Sequence, residues 1–342
     1  MSHPNAEQAE IDWGFLLAMF ALIAIGGSTR LYMHFQGPEE RLQLRPASEE
    51  EAARGLSPSE AGPAIPYDLE APDWMLVLPP SLKEVSAFAL DEGRSRAWVV
   101  NDEQGQIYPI GLSEREVGQP IRFAGKGDYE GVEVVGDEVV AARSDGTLWR
   151  IREGEVVEVR SPLSAAQDVE GLAFDPKRSR LLVACKGKAG TGKDYAGTRA
   201  IYALSVPEYR WEDAPAYLIA LSDLEAFIRS HNVRGLKPKD AKHFAPSGIA
   251  VSPDGRAIYV ISSVGRMMVA LNVEGEIAGV TSLPRERHSQ PEGLAFDDQG
   301  ALYLTNEGRN TSATLYRFDR RPQTLEAGAS GSMEPAAAGT AL

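Results

Sequence analysis

The chain has 342 residues, 43% of them apolar, enough to bury the core of one large domain or two ordinary ones. Lys and Arg number 35 against 49 Asp and Glu, a net charge of −14 that repels polyanions and argues against nucleic acid as a partner. The single cysteine, Cys185, excludes an intrachain disulfide and any thiolate metal cluster.

The first predicted element is an anchor within residues 1–35. Trp13 to Gly27 reads WGFLLAMFALIAIGG without a charge, and continued to Met33 the run reaches bilayer-spanning length. Arg30 would snorkel to the interface. Glu7, Glu10 and Asp12 precede the run and no Lys or Arg does, which disfavours a cleaved signal peptide, whose first region is basic. The expectation is a single-pass cell-membrane protein with its body outside the cytoplasm. Arg30, Arg41 and Arg45 follow the span, and the positive-inside rule points the other way. Residues 36–73, containing EEEAARGLSPSEAGPAIP, hold too few apolar side chains to order themselves and read as a disordered linker. Residues 322–342 have the same composition and read as a disordered tail, so the folded body is expected over 74–321.

Within that body one pattern recurs: a short apolar strand opened by a small or acidic residue, a turn, a second apolar strand ending in a polar group, and a third strand. The copies are VSAFALDEGRSRAWVVND from Val85, YEGVEVVGDEVVAARSD from Tyr129, VEGLAFDPKRSRLLVACK from Val169, PSGIAVSPDGRAIYVISS from Pro246 and PEGLAFDDQGALYLTNEG from Pro291. Their openers, Ser86, Glu130, Glu170, Ser247 and Glu292, are 44, 40, 77 and 45 residues apart. Periods of about 40–45 residues suit the four-stranded blades of a β-propeller. The 77-residue gap is one blade plus an insertion that includes SDLEAFIRSHNV, a helical stretch with Ser222 as its cap. The count is five blades, or six if part of the gap forms a degenerate one. The strand WMLVL at Trp74 to Leu78 precedes the first repeat, and the last repeat lacks a fourth strand. Pairing these two ends would close the ring and remove its exposed edges.

In a propeller blade the first strand lines the axis and the second runs antiparallel to it. The start of the first and the end of the second therefore share one face. Both positions are polar here: the openers, and Asn101 with Asp102, Arg143 with Ser144, Lys186, Ser262 with Ser263, and Asn306 with Glu307. Ring closure would gather three carboxylates, Glu130, Glu170 and Glu292, near two cations, Arg143 and Lys186. Carboxylates brought that close must share a proton, pair with those cations or bind a metal. An oxygen-only donor set selects a hard ion, and Ca2+ is the expected cofactor over Zn2+. The plainer reading is that each Glu accepts backbone N–H groups of the next blade and only positions the blades.

Other motifs carry less. GKAGTGKD, from Gly187 to Asp194, imitates a phosphate loop but has Asp194 where Ser or Thr would hold Mg2+, and it reads as an inter-strand loop. No G-x-S-x-G elbow marks a serine hydrolase. His243 and His288 fall shortly before the openers Ser247 and Glu292, so either could reach the axial face, with the surface as the simpler place for both.

The quoted segments, above all FAGKGDYEGVEVV with ARSDGTLWRI, DVEGLAFDPKRSRLLVACKG, PSGIAVSPDG with IYVISS, and QPEGLAFDDQGALYLTNEG, resemble the SdiA-regulated (YjiK-like) family from about Tyr67 to Phe318. The E-G-L-A-F-D element is also similar to phytase-like and calcium-dependent phosphotriesterase- or lactonase-like propellers. The resemblance implies a β-propeller carried by an exported or membrane-anchored protein, with calcium held at positions matching Glu130, Glu170, Glu292, Asn101 and Asn306. It implies no established reaction. Arg143, Lys186 and Ser263 depart from the metal pattern and favour an anion. The first functional expectation is thus a propeller binding a small anionic or metal-bridged ligand, or a protein partner, through Arg143, Lys186, Asp102, Ser263 and Glu307. Its alternative is a calcium-dependent esterase or phosphoesterase with Glu130 or Glu170 as general base and Arg143 and Lys186 steadying negative charge. A scaffold without a ligand follows if the ring satisfies its own polar groups.

Overall fold

A computed structural model describes residues 40–41, 43–45, 65–91 and 96–321. The described strands form five antiparallel sheets. Blade 1 comprises β4 (Val85–Leu90), β5 (Arg96–Asn101) and β6 (Gln104–Gly111), with β7 (Glu116–Val117) and β8 (Ile121–Lys126) both pairing β6, and β1 (Glu40–Arg41) pairing β7. Blade 2 is β9 (Tyr129–Val135), β10 (Glu138–Arg143), β11 (Leu148–Arg152) and β12 (Glu155–Val159). Blade 3 is β13 (Val169–Asp175), β14 (Arg180–Cys185) and β15 (Thr198–Ser205), the last paired by β16 (Arg210–Trp211) and β17 (Tyr217–Ala220). Blade 4 is β18 (Gly248–Val251), β19 (Ala257–Ser262), β20 (Met267–Asn272) and β21 (Ile277–Ser282). Blade 5 is β22 (Pro291–Phe296), β23 (Leu302–Asn306) and β24 (Thr314–Phe318), and its outer strands come from the other end of the body: β3 (Trp74–Val77), then β2 (Gln43–Arg45).

The ring has five blades, not six, because the whole 77-residue gap is used by blade 3 and an insertion. Its closure is the one expected from sequence: Trp74–Val77 pairs antiparallel with Thr314–Phe318, Leu76 opposite Leu315. Burial falls from axis to rim. Strand β13, VEGLAFD, is buried at six of its seven positions, whereas β12 at a rim is almost wholly exposed. A strand covered on both faces reads as a continuous apolar run rather than an alternating one. Each pair of neighbouring blades encloses its own apolar cluster, five in all among the described residues; Val140 and Leu148 of blade 2 meet Leu172 and Leu181 of blade 3 in one of them.

The glycine after four of the five openers has a packing reason. A Cβ on Gly248 would lie 2.3 Å from the backbone oxygen of Glu292, and one on Gly293 would lie 2.7 Å from Cβ of Phe88 and 2.8 Å from its backbone nitrogen. The E-G or S-G pair therefore joins two jobs, an axial side chain followed by a close approach of neighbouring inner strands.

The insertion opens with α1 (Leu221–Ser230), which buries Leu224 and Ile228, one turn apart, against the blade 3–blade 4 cluster. Its cap position is Ala220, not Ser222, and no side chain caps it. The first turn grows directly out of β17, and the Leu221 N–H already bonds to the Gly197 oxygen at 2.9 Å, so Ser222 has no capping task. Residues 65–73, placed by composition in the linker, run along the outside of the ring. The Tyr67 hydroxyl donates to the Gly300 oxygen at 2.8 Å, and Leu69 is buried in the blade 4–blade 5 cluster. The apolar run at 13–33 and the tail at 322–342 lie outside the described residues. Among the described residues no helix is long and apolar enough to cross a membrane.

Candidate functional site: an acidic mouth on the propeller axis

Where the first strands begin and the second strands end, the blades surround a cavity of about 100 Å3. Glu130 of blade 2, Glu170 and Lys186 of blade 3, Glu292 and Glu307 of blade 5 and Asp102 of blade 1 line it together. These six were expected from the repeat to share one face. Ser86, Val85, Glu84 and Gln290 complete the wall. Glu84 and Gln290 were missed, yet a signal exists: each lies two residues before an opener, where Asp128 and Asp168 stand in blades 2 and 3.

Lys186 Nζ sits 2.7 Å from Glu170 Oε1. Burial opposes the charge of this ammonium, but the adjoining carboxylate outweighs it and holds the Lys186 value above its ordinary one. Burial, reinforced by Glu170 and Glu292, pushes the Glu130 carboxyl up to about 10. Glu292 is raised well above the usual range by burial and then by Glu170. Glu170 rises to about 7, burial exceeding the opposing pull of Lys186. Asp102 rises to about 6 through burial and then Glu84, and Glu307 is raised chiefly by burial. One ammonium cannot neutralise this many carboxylates, so the cluster keeps protons at neutral pH. Asp102 Oδ1 and Gln290 Oε1 are buried without a hydrogen-bond partner, although Gln290 donates through Nε2 to Glu307.

The blade-positioning task suggested for the opener glutamates falls to other residues. The Ser86 hydroxyl donates to the Tyr129 oxygen of blade 2 at 2.6 Å, and that of Ser247 donates to the Pro291 oxygen of blade 5 at 2.7 Å. Glu133 accepts the Phe174 N–H of blade 3 at 3.0 Å, and burial lifts its carboxyl to about 7. Ser263 gives its backbone N–H to Ser247 Oγ at 3.0 Å and does not line the cavity.

Arg143 does not line it either. Its guanidinium bonds Asp145 Oδ2 through Nη2 at 2.6 Å and Nε at 3.0 Å, and lies 5.2 Å over the Trp149 ring. Arg143 stands opposite Tyr129 as Cys185 stands opposite Val169, and the Ser144 and Lys186 N–H groups bond the Asp128 and Asp168 oxygens alike. Ser144 and not Arg143 therefore holds the place of Lys186, and the Arg143 side chain leaves from the other face of its strand. Asn101 Oδ1 accepts the Glu103 N–H at 3.1 Å within its own turn. Asn306 is buried with its Nδ2 3.5 Å from Thr314 Oγ1, and neither asparagine lines the cavity. His288, expected at the surface, is fully buried: Nε2 bonds the Leu69 oxygen at 2.8 Å, and burial lowers its value to about 4. The segment at 65–73 covers it. Cys185 is buried and free, its thiol pushed up to about 12 by burial.

These donors do not fit the expected calcium. Its two expected amide ligands, Asn101 and Asn306, do not line the cavity, and the counter-charge within reach of Glu170 is the Lys186 ammonium. Among the described residues no group of three or more His, Cys, Asp or Glu is arranged to hold a metal ion.

Fold and site thus define a class: a five-bladed propeller whose axis opens into a proton-holding carboxyl cluster with one fixed internal cation. Residues 212–318 match the model of the SdiA-regulated family, from the rim of blade 3 to the last strand of blade 5, which bears out the resemblance read from the repeats. Solved structures are similar at low identity. The gluconolactonase XC5397 from Xanthomonas campestris is 13% identical over 84% of this chain and 89% of its own, with a TM-score of 0.48. A chain of a nidogen/laminin complex is 14% identical over 68% and 76%, with a TM-score of 0.45. A luciferin-regenerating enzyme is 11% identical over 69% and 91%, with a TM-score of 0.43.

Proposed function

We propose that the axial mouth binds the cationic end of a small ligand, an amine or a guanidinium, and that binding displaces protons from the carboxyl cluster. The observation that carries this reading is the charge around the cavity. Six carboxyl groups, those of Glu84, Asp102, Glu130, Glu170, Glu292 and Glu307, face one ammonium, and that ammonium is already bound to Glu170. The anionic ligand expected from Arg143 and Lys186 loses its support, since the first guanidinium lies elsewhere and the second cation is spoken for. An incoming cation supplies the charge that lets Glu130 and Glu292 ionise, so proton release and binding are coupled. A cavity of about 100 Å3 takes a head group only, leaving the rest of the ligand or a partner on the open face.

Calorimetry with methylamine, guanidinium and spermidine in two buffers of unlike ionisation enthalpy tests this. Binding should be accompanied by proton release and weaken at least about tenfold in Glu130→Gln/Glu292→Gln, the loss of two charge-assisted contacts. Absence of binding, or binding untouched by the double variant, removes the reading. A second reading, metal-free ester or lactone hydrolysis, draws on Glu170 alone, whose value of about 7 suits a general base. Turnover of an ester panel that disappears in Glu170→Gln would favour it over simple binding.

The apolar run at 13–33 is read as a tether, with the propeller outside the cytoplasm. A reporter fused after Arg321 should be active only in an extracytoplasmic assay. Cytoplasmic activity would reverse the orientation, in line with the arginines that follow the run.

A further inference from the structure

We propose that a second cleft, at the same end of the blades as the axial mouth, binds a small organic anion carrying phosphate or carboxylate groups. It has a volume of about 470 Å3, and its walls are the insertion between blades 3 and 4, the β19–β20 turn and the end of β21. In a chain of net charge −14, three arginines, Arg234, Arg266 and Arg285, surround this one cleft, with His243 beside them. The local sign opposes that of the whole molecule and of the neighbouring mouth.

Two of the guanidiniums are uncommitted. Arg234 and Arg285 are exposed and make no hydrogen bond or ion pair among the described residues. Arg266 is half-buried and donates to the His288 oxygen at 3.1 Å and, more loosely, to that of Ser289 at 3.5 Å, which anchors its planar head while leaving further N–H donors. The cleft also has two acids. Asp240 already accepts the Lys237 N–H at 2.8 Å, and Glu70 lies exposed. The lining thus sets three guanidiniums against two carboxylates, while Glu286 and Arg309 act on Arg266 with opposite signs from beyond the wall.

The walls are pre-set. Ser262 Oγ accepts both the Ala245 N–H and the Gly265 N–H at 2.9 Å, fastening the end of the insertion to the β19–β20 turn. Gly265 lets them touch, since a Cβ there would lie 3.0 Å from the His243 oxygen. Arg266 then holds a φ of +53°, rare for a side chain of its size, with its carbonyl bonded by the Leu283 N–H at 2.8 Å. Leu236, Leu283 and Pro284 give the cleft an apolar side. Forked guanidinium donors around a partly apolar space of this size suit a phosphorylated or polycarboxylated metabolite rather than a bare polymer, which the overall charge repels.

The test is calorimetry on the full chain with inorganic phosphate, glycerol 3-phosphate and citrate as probes, at low and at physiological salt. Glycerol 3-phosphate or citrate should bind, more weakly as salt rises, and the three probes separate free phosphate, organic phosphate and carboxylate as the recognised chemistry. In R234Q/R285Q the affinity should fall at least about tenfold while the melting temperature stays at its wild-type value, because neither side chain holds the fold together. The single variants R234Q and R285Q, each expected to lose part of the affinity, serve if the double variant melts early. Failure of all three probes to bind, or binding unchanged in these variants, overturns the proposal.

Discussion

Gly248→Val should open the ring. The new Cβ would stand 2.3 Å from the backbone oxygen of Glu292, and a backbone atom of an inner strand cannot step aside without moving its blade. Overpacking of this kind costs about 3 kcal/mol or more, which lowers the melting temperature of a domain this size by about 10 °C. Ala87→Gly, at the matching position of blade 1, removes one buried methyl group and should cost no more than about 1 kcal/mol. Thermal unfolding followed by circular dichroism compares the two. A Gly248→Val protein melting within 2–3 °C of wild type would mean, on the same scaling, that the inner strands are not tightly apposed and that no axial mouth is assembled.

The second large effect depends on pH. Glu130 and Glu170 have folded values near 10 and 7, both above the ordinary carboxyl range, so the folded state binds more protons than the unfolded one between about pH 4.5 and those values. For these groups stability is greatest at the acid end of that window and declines as pH rises through 7. Wild type should accordingly melt higher at pH 5.5 than at pH 8.5. Lys186→Met steepens the decline. At pH 8.5 the variant leaves the Glu170 carboxylate buried without its partner, a loss of about 3 kcal/mol; at pH 5.5 Glu170 can take a proton instead, and the loss shrinks to below about 1 kcal/mol. Adding Glu170→Gln should restore most of the alkaline stability. An equal loss at both pH values, or no rescue, would show that the ammonium is not the counter-charge of the cluster.

Much of the architecture is readable in the residue order because a blade is a local object. Its strands are neighbours in sequence, its first strand is apolar on both faces, and its period recurs, so repeats such as VEGLAFD and PEGLAF announce themselves. The openers were legible for the same reason: Glu130, Glu170 and Glu292 occupy one register position, and equivalent positions in a ring face one axis. Lys186, Asp102 and Glu307 followed from the antiparallel partner strand.

Where the reading departs from the structure, the cause is a one-residue offset along a strand, a contact distant in sequence or the lack of any local motif. Arg143 stands one residue before the position equivalent to Lys186, which Ser144 holds, and an acid two residues on, Asp145, claims its guanidinium. His288 looks like a loop histidine until the segment from 65 to 73 is seen to lie over it. The arginine cleft has no motif, since Arg234, Arg266 and Arg285 come from an insertion, the β19–β20 turn and the loop after β21.

From the order of residues alone follow the blade, its repetition, the closing strand and the faces on which polar groups stand, since strand periodicity and hairpin pairing need only near neighbours. Which of those polar groups pair, keep a proton or remain free is decided by the closed ring, because burial and Coulomb interactions depend on distances that exist only once far-separated segments pack.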